Sequence, residues 1–304
     1  MTTISTRHVR PAPALLALAL AALVLGACNG ASAKDRGWSV QDPLWTALPQ
    51  SNGQASAASA RAVAVARALG IPGNPSAVRR ERDLMYSVDY DLVEFVSAAG
   101  DKAVMRLHPD TNQPMMIVRL GPPDPSEPAT YTEDTAPGRA REFAQVLGLP
   151  LPTEAPKVRW DDGFGTWTVT WDRLIDGHRA LGDGVIIDVT PGGRFKALSA
   201  TVTPSAPAPA KPIPAGRAAS IAKSYAAGHG WTAKPQFTQT DPVLLWVRAN
   251  NFLDPSKSDA PEPVLRLAYE VTSSFIAIEG DEPHLEVLWI SATDGSLLGG
   301  TQTA

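Results

Sequence analysis

"TWTVTWDR", Thr166–Arg173, is the stretch on which the fold turns. Its period is two. Trp167, Val169 and Trp171 share one face of an extended strand, while Thr166, Thr168 and Thr170 share the other. The apolar face is expected to pack under a helix and the threonines to meet water. A stacking platform for sugars also uses tryptophan, although rarely with a valine between the rings.

Upstream, "RAREFAQVLGLP" begins at Arg139. Ala140, Phe143, Ala144 and Leu147 fall at i, i+3, i+4 and i+7, which makes one apolar stripe on a helix. Small alanines let such a helix lie close to a sheet, and the tryptophans fill the space left over. Gly148 suits a left-handed stop, and Pro150 forbids continuation. Two further segments align without gaps: "RAVAVARALGIP" from Arg61 and "RAASIAKSYAAG" from Arg217. The starts at 61, 139 and 217 are equally spaced. The matching stripes are Ala62, Val65, Ala66 and Leu69, then Ala218, Ile221, Ala222 and Tyr225. Pro137 and Pro214 lie near helix starts, where a missing N–H costs nothing.

Strand-like text follows each helix. After the first come "YSVDYDLVEFV", "KAVMRL", the turn "PDTN" and "PMMIVRL". After the second come "TWTVTW", "GVIIDVT", the turn "PGG" and "RFKALSATV"; after the third, "LRLAYEV", "LEVLWISA", the turn "TDG" and "SLL". The expected fold class is α+β, with repeated units of one helix packed on a small antiparallel sheet. The units are placed at 59–121, 135–204 and 212–304, the third with an inserted Pro-rich loop at 251–262. The connectors "GPPDPSEP" and "PSAPAPAKPIP" separate them, the second as a semi-stiff polyproline spacer.

The N-terminal text reads as an address. Arg7 and Arg10 precede an apolar run, Ala12–Ala27, that is short for a membrane span of ~20 residues. It fits a signal peptide over residues 1–27. Residues 28–58 are mostly small and polar and read as a flexible tether, with Trp38 and Trp45 as anchors. Leu25-Gly26-Ala27-Cys28 resembles the lipobox of bacterial lipoproteins. That resemblance implies cleavage before Cys28 and lipidation of its thiol, with palmitate-type acyl chains holding the protein to a membrane. Asn29 stands where an Asp would mark inner-membrane retention, so the resemblance points to the periplasmic face of the outer membrane in a Gram-negative host.

A second resemblance lies in the body of the chain. An alanine-striped helix, a W-x-V strand (Trp167, Val169) and Val185-Ile186-Ile187-Asp188 running to Gly192-Gly193 are similar to the PepSY domain. In the last segment Tyr269-Glu270-Val271, Val287 and Trp289, running to Asp294-Gly295, carry the likeness. The first segment departs most: Asn112 stands in place of glycine and no tryptophan opens its strand. PepSY domains occur in peptidase propeptides and envelope proteins. The resemblance implies binding or restraint of a peptidase, with no catalytic residues of its own.

Composition fits this. With 44% hydrophobic and 19% charged residues a core can form. A net charge of −4 without a basic block argues against nucleic acid. Cys28 is the only cysteine, so no internal disulfide can form. His8, His108, His178, His229 and His284 show no zinc spacing, so no metal is expected. Asp161, Asp162 and Asp172 flank the tryptophan strand, where paired carboxylates could act on glycosides, but beside Gly163 and Gly165 they read as loop residues. No G-x-S-x-G or S-x-x-K motif and no phosphate-cradling loop is present, so neither catalytic residues nor a small-molecule cofactor is expected. The expected function is a lipid-anchored, non-catalytic envelope protein that binds a protein partner through sheet edges or the 251–262 loop. The alternative is a glycan- or cell-wall-binding module.

Overall fold

Why the helices form is plain from their buried faces. The computed structural model describes residues 45–83, 88–121, 126–250, 262–276 and 283–303. β1 (Trp45–Leu48) leads into α1 (Asn52–Ala68), whose start is fixed by a reciprocal cap. The Gln54 N–H donates to the Ser51 hydroxyl at 3.3 Å, and the Ser51 N–H donates to Gln54 Oε1 at 3.0 Å. Residues 45–48 and 52–58, read as tether, are therefore strand and helix. Residues 28–44 and Cys28 lie outside the described residues.

After α1 come β2 (Asn74–Asp83), β3 (Val88–Val96), β4 (Lys102–Leu107) and β5 (Pro114–Arg119). α2 (Ala136–Leu147) ends at Gly148, whose φ of 70° is the left-handed stop its sequence calls for. β6 (Lys157–Asp161), β7 (Thr166–Ile175), β8 (His178–Val189) and β9 (Phe195–Thr201) follow. α3 (Ala215–Gly228), a short 3-10 turn (Trp231–Ala233), β10 (Thr238–Gln239), β11 (Val243–Arg248), β12 (Leu265–Phe275), β13 (His284–Ser291) and β14 (Leu297–Thr303) complete the order.

The strands do not form small separate sheets, which corrects the expected fold class. Among the described residues, fourteen strands join one sheet in the order β1-β2-β3-β4-β5-β9-β8-β11-β12-β13-β14, with β6 and β7 branching from β8 and β10 beside β12. Two contacts produce the continuity. β5 and β9 pair antiparallel, Ile117 opposite Leu198 and Met116 opposite Ser199. β8 meets β11 in parallel at Ala180 and Trp246, so the sheet is mixed. β8 carries β7 and β9 along its C-terminal half; where β9 stops, β11 takes up the vacated side. At that bend Gly184 has φ 137°, and a Cβ there would stand 2.1 Å from the Trp171 carbonyl oxygen.

The core overturns the unit picture in the same way. α1 and α2 do not each cover a private sheet. Ala62, Val65, Phe143 and Leu147 join Val93, Ile117, Trp171 and Leu198 in one cluster. Arg61 on α1 donates to the Leu147 carbonyl at the end of α2, at 3.4 Å. α3 builds a second cluster with Ala218, Ala222, Tyr269 and Leu288. A third, smaller one gathers Leu245, Val247, Ala268 and Trp289.

The β8–β11 joint is tied by a buried carboxylate. Asp183 Oδ2 accepts from Arg173 Nη1 at 3.0 Å and Oδ1 from the Thr203 hydroxyl at 2.7 Å. Arg248 of β11 donates to the same hydroxyl at 3.0 Å. The Trp246 indole N–H donates to the Ile175 carbonyl at 3.1 Å, close by in sequence to the parallel bridge.

Candidate functional site

The tryptophans of β7 divide their tasks. Trp171 is buried in the shared core, with the Arg141 guanidinium 5.4 Å from its ring centre. Trp167 is half-buried and donates its indole N–H to the Tyr131 carbonyl at 3.0 Å. The edge of a third ring, Trp160 of β6, meets it at 5.1 Å between centroids. The threonine face is not the wet face that alternation predicts: Thr166 and Thr168 are buried.

Trp160 lies on an edge that differs from two others in the sheet. At one end β1, four residues long, pairs with β2 from Trp45 opposite Asp83 to Leu48 opposite Arg80 and forms the edge there. β14 is covered at its middle by Asn250. The Asn250 N–H donates to the Leu298 carbonyl at 2.8 Å, its amide donates to the Gly300 carbonyl at 2.9 Å, and its Oδ1 accepts from the Gly300 N–H at 3.1 Å. Among the described residues β6 pairs with β7 alone. Its side chains are held by nearby carboxylates: Lys157 pairs with Asp172, Arg159 with Asp161 at 3.2 Å, and the Trp160 indole donates to Asp162 at 2.7 Å. Trp160 stays 39% exposed, so this edge carries an aromatic ring within reach of a partner strand. The signal was present in "KVRWD", but its charges disguise a strand.

Asp188, which carries part of the PepSY likeness, sits on β8 between Thr168 of β7 and Ala197 of β9. Burial pushes its carboxyl up to about 6; the Thr168 hydroxyl opposes the rise, Asp161 adds to it, and Arg159 and Lys196 oppose it. Its Oδ1 is buried with no hydrogen-bond partner. Lys196 is buried as well; desolvation lowers its pKa, and its ammonium donates to the Gly121 carbonyl. Asp161 cannot serve as its catalytic twin: Oδ1 caps the Gly163 and Phe164 N–H groups at 3.0 and 3.2 Å, and Oδ2 holds Arg159.

The histidines remain apart in two cases and meet in one. His108 closes the β4–β5 turn, its Nδ1 accepting from the Asp110 N–H at 3.2 Å. His178 opens β8. His229 and His284 are drawn into one aromatic ladder, which sequence distance hides. His229 stacks on Tyr225 at 4.1 Å, Trp231 stacks on Phe275 at 5.4 Å, and Phe275 meets His284 at 5.0 Å. The ladder ties the end of α3 to β12 and β13. No group of three or more His, Cys, Asp or Glu side chains suited to a metal ion occurs among the described residues. The 251–261 segment, most of the expected contact loop, and Trp38 lie outside them.

No family model matches the chain, and no curated protein does. Among solved structures, it is similar to the Bacillus megaterium YpeB C-terminal domain at 12% identity and a TM-score of 0.42, over 81% of this chain and 96% of that one. It is also similar to an uncharacterized protein from Eubacterium rectale at 9% identity and a TM-score of 0.44, over 78% of this chain and 80% of that one.

Proposed function

We propose that the chain is a lipid-anchored envelope protein that performs no chemistry and binds another protein by strand addition. The open edge of β6 carries this reading. An extended segment laid along it would gain backbone hydrogen bonds, with Trp160 and Val158 gripping alternate side chains. Cys28 supplies the anchor through its lipobox resemblance, and the PepSY resemblance makes a peptidase or a propeptide-like chain the partner class. The acids around the tryptophan strand support a binding role, because Asp161, Asp162 and Asp172 are spent on turns and ion pairs.

The test is capture of solubilised host envelope on the immobilised chain, in parallel with Trp160→Lys. A protein held by the native chain and released by the variant is the expected result. Retention that ignores Trp160, or none, removes the reading. The exposed Trp160 ring favours one alternative, a glycan-binding module. Cell-wall fragments that quench tryptophan emission in the native chain but not in Trp160→Lys would establish it instead.

A further inference from the structure

Lys157-Val158-Arg159-Trp160-Asp161 is its own complement when reversed. Laid antiparallel against an identical strand with Arg159 on the two-fold axis, Lys157 falls opposite Asp161 and Val158 opposite Trp160. Directly opposed side chains in an antiparallel pair approach to about 5 Å, near enough for both contacts. We propose that β6 pairs antiparallel with β6 of a second copy of this chain and so extends the sheet across a two-fold axis. The proposal rests on the reading of β6 as the binding edge, and it names one occupant of that edge.

Three features select a copy over an unrelated strand. The first is charge. Lys157 is 66% exposed although paired with its own Asp172, and an identical strand sets the second copy's Asp161 opposite it, so the ammonium would bridge two carboxylates where an unrelated strand would bring none. The second is register. Sliding the pair so that Val158 opposes itself would set Lys157 against Arg159, and a one-residue slip would set apolar against charged faces. In the centred register only the two Arg159 side chains are alike, and each is already held by its own Asp161 at 3.2 Å. The third is burial. Trp160 lies on the Trp167 side of the strand, and the second copy's Val158 would cover its exposed ring. A two-fold contact closes on itself and leads to a dimer, not a filament.

The experiment is sedimentation equilibrium of the full chain in density-matched detergent, across a hundredfold range of concentration. The expected mass is that of two chains, dissociating reversibly on dilution. Trp160→Lys is expected to weaken the dimer at least tenfold, with its near-ultraviolet spectrum checked for folding. Arg159→Cys supplies an independent measurement. Its two copies would lie about 5 Å apart between Cα atoms, within disulfide range, so mild oxidation should link them; the native chain, with Cys28 alone, gives the background. A native chain that is monomeric throughout overturns the proposal. So does a dimer that neither weakens in Trp160→Lys nor cross-links through Arg159→Cys. If the native chain is monomeric yet an envelope protein is lost from Trp160→Lys, edge binding stands and self-pairing falls. If it is dimeric through β6 and no envelope protein depends on Trp160, self-pairing stands and the broader reading falls.

Discussion

Two of the joints in the sheet are made by different means. Between β5 and β9 the joint is a backbone ladder over a shared apolar core, with Ile117 and Leu198 fully buried. Between β8 and β11 the backbone meets at one residue pair, with a second short parallel bridge at Ser205 and Leu265 beside it, and much of the joint rests on side chains: Asp183, Arg173, Thr203 and Arg248. A ladder over a hydrophobic core loses stability gradually when trimmed. A buried ionic hub is different, because removing one member leaves the others charged and desolvated.

Asp183→Ala removes the centre of the ionic joint. It is expected to cost about 3–5 kcal/mol, since Arg173 would lose its carboxylate inside the joint. Urea unfolding followed by tryptophan emission should show the β10–β14 part loosening first. A single transition displaced by less than about 1 kcal/mol, within the range of an ordinary surface change, would show that the hub does not hold the joint. Next in size is Ile117→Ala, at about 3 kcal/mol from lost burial and a cavity. Hydrogen exchange should then quicken in α1 and α2 together, because both helices cover one core. Loss confined to α1 would mean that the core is divided after all.

The same contrast separates what the sequence displays from what it conceals. Ala62, Val65 and Ala66, like Ala140, Phe143 and Ala144, display a helical stripe, and each is buried where the stripe puts it. Such patterns are local and need only one face to be dry. β2 and β6 defeat the same procedure. "NPSAVRRERD" carries Arg80 and Arg82, which look like solvated loop text until Asp91 and Asp89 pair with them across the register. Charge cancellation between neighbouring strands is invisible within one strand. The continuity of the sheet is hidden for a related reason: whether β5 meets β9 is decided by two edges far apart in the chain, and neither pattern specifies its neighbour. Thr166 and Thr168 mislead in another way, because alternation tells faces apart without telling which face is wet. At the candidate site, Asp188 was legible through its motif, whereas Trp160 lay inside a strand that the charges disguised.

Two aspartates on β8 sharpen the contrast further. Asp183 is surrounded by donors, while Asp188 has one oxygen with none. The folded-state value of Asp188, about 6, exceeds its ordinary 3.8, so the folded chain keeps the proton longer. The resulting stabilisation is complete below about pH 4 and is lost as pH rises through 6. A shift of that size corresponds to about 3 kcal/mol at most. Asp188→Asn should therefore match the native chain near pH 4 and exceed it by about 2 kcal/mol at pH 8. Thermal unfolding at the two pH values checks this. Equal stability at both would mean that Asp188 is solvated or partnered when ionised.

The smallest expected effect concerns how the chain ends a sheet. β5 and β9 satisfy each other, but β14 has no strand on its outer side among the described residues and is met there by Asn250. Gly299 admits that contact: its φ is 131°, and a Cβ would stand 2.0 Å from the Asn250 Oδ1. The Asn250 amide serves the Gly300 N–H and C=O at once, as a neighbouring strand would. Removing it by Asn250→Ala is expected to cost about 1–2 kcal/mol, little because water can reach part of the freed edge. The larger consequence is kinetic, since an uncovered edge is a template for pairing. Light scattering on incubation near the unfolding midpoint should rise faster for Asn250→Ala than for the native chain. If the two aggregate at the same rate, Asn250 is a turn residue and the β14 edge is protected by something else.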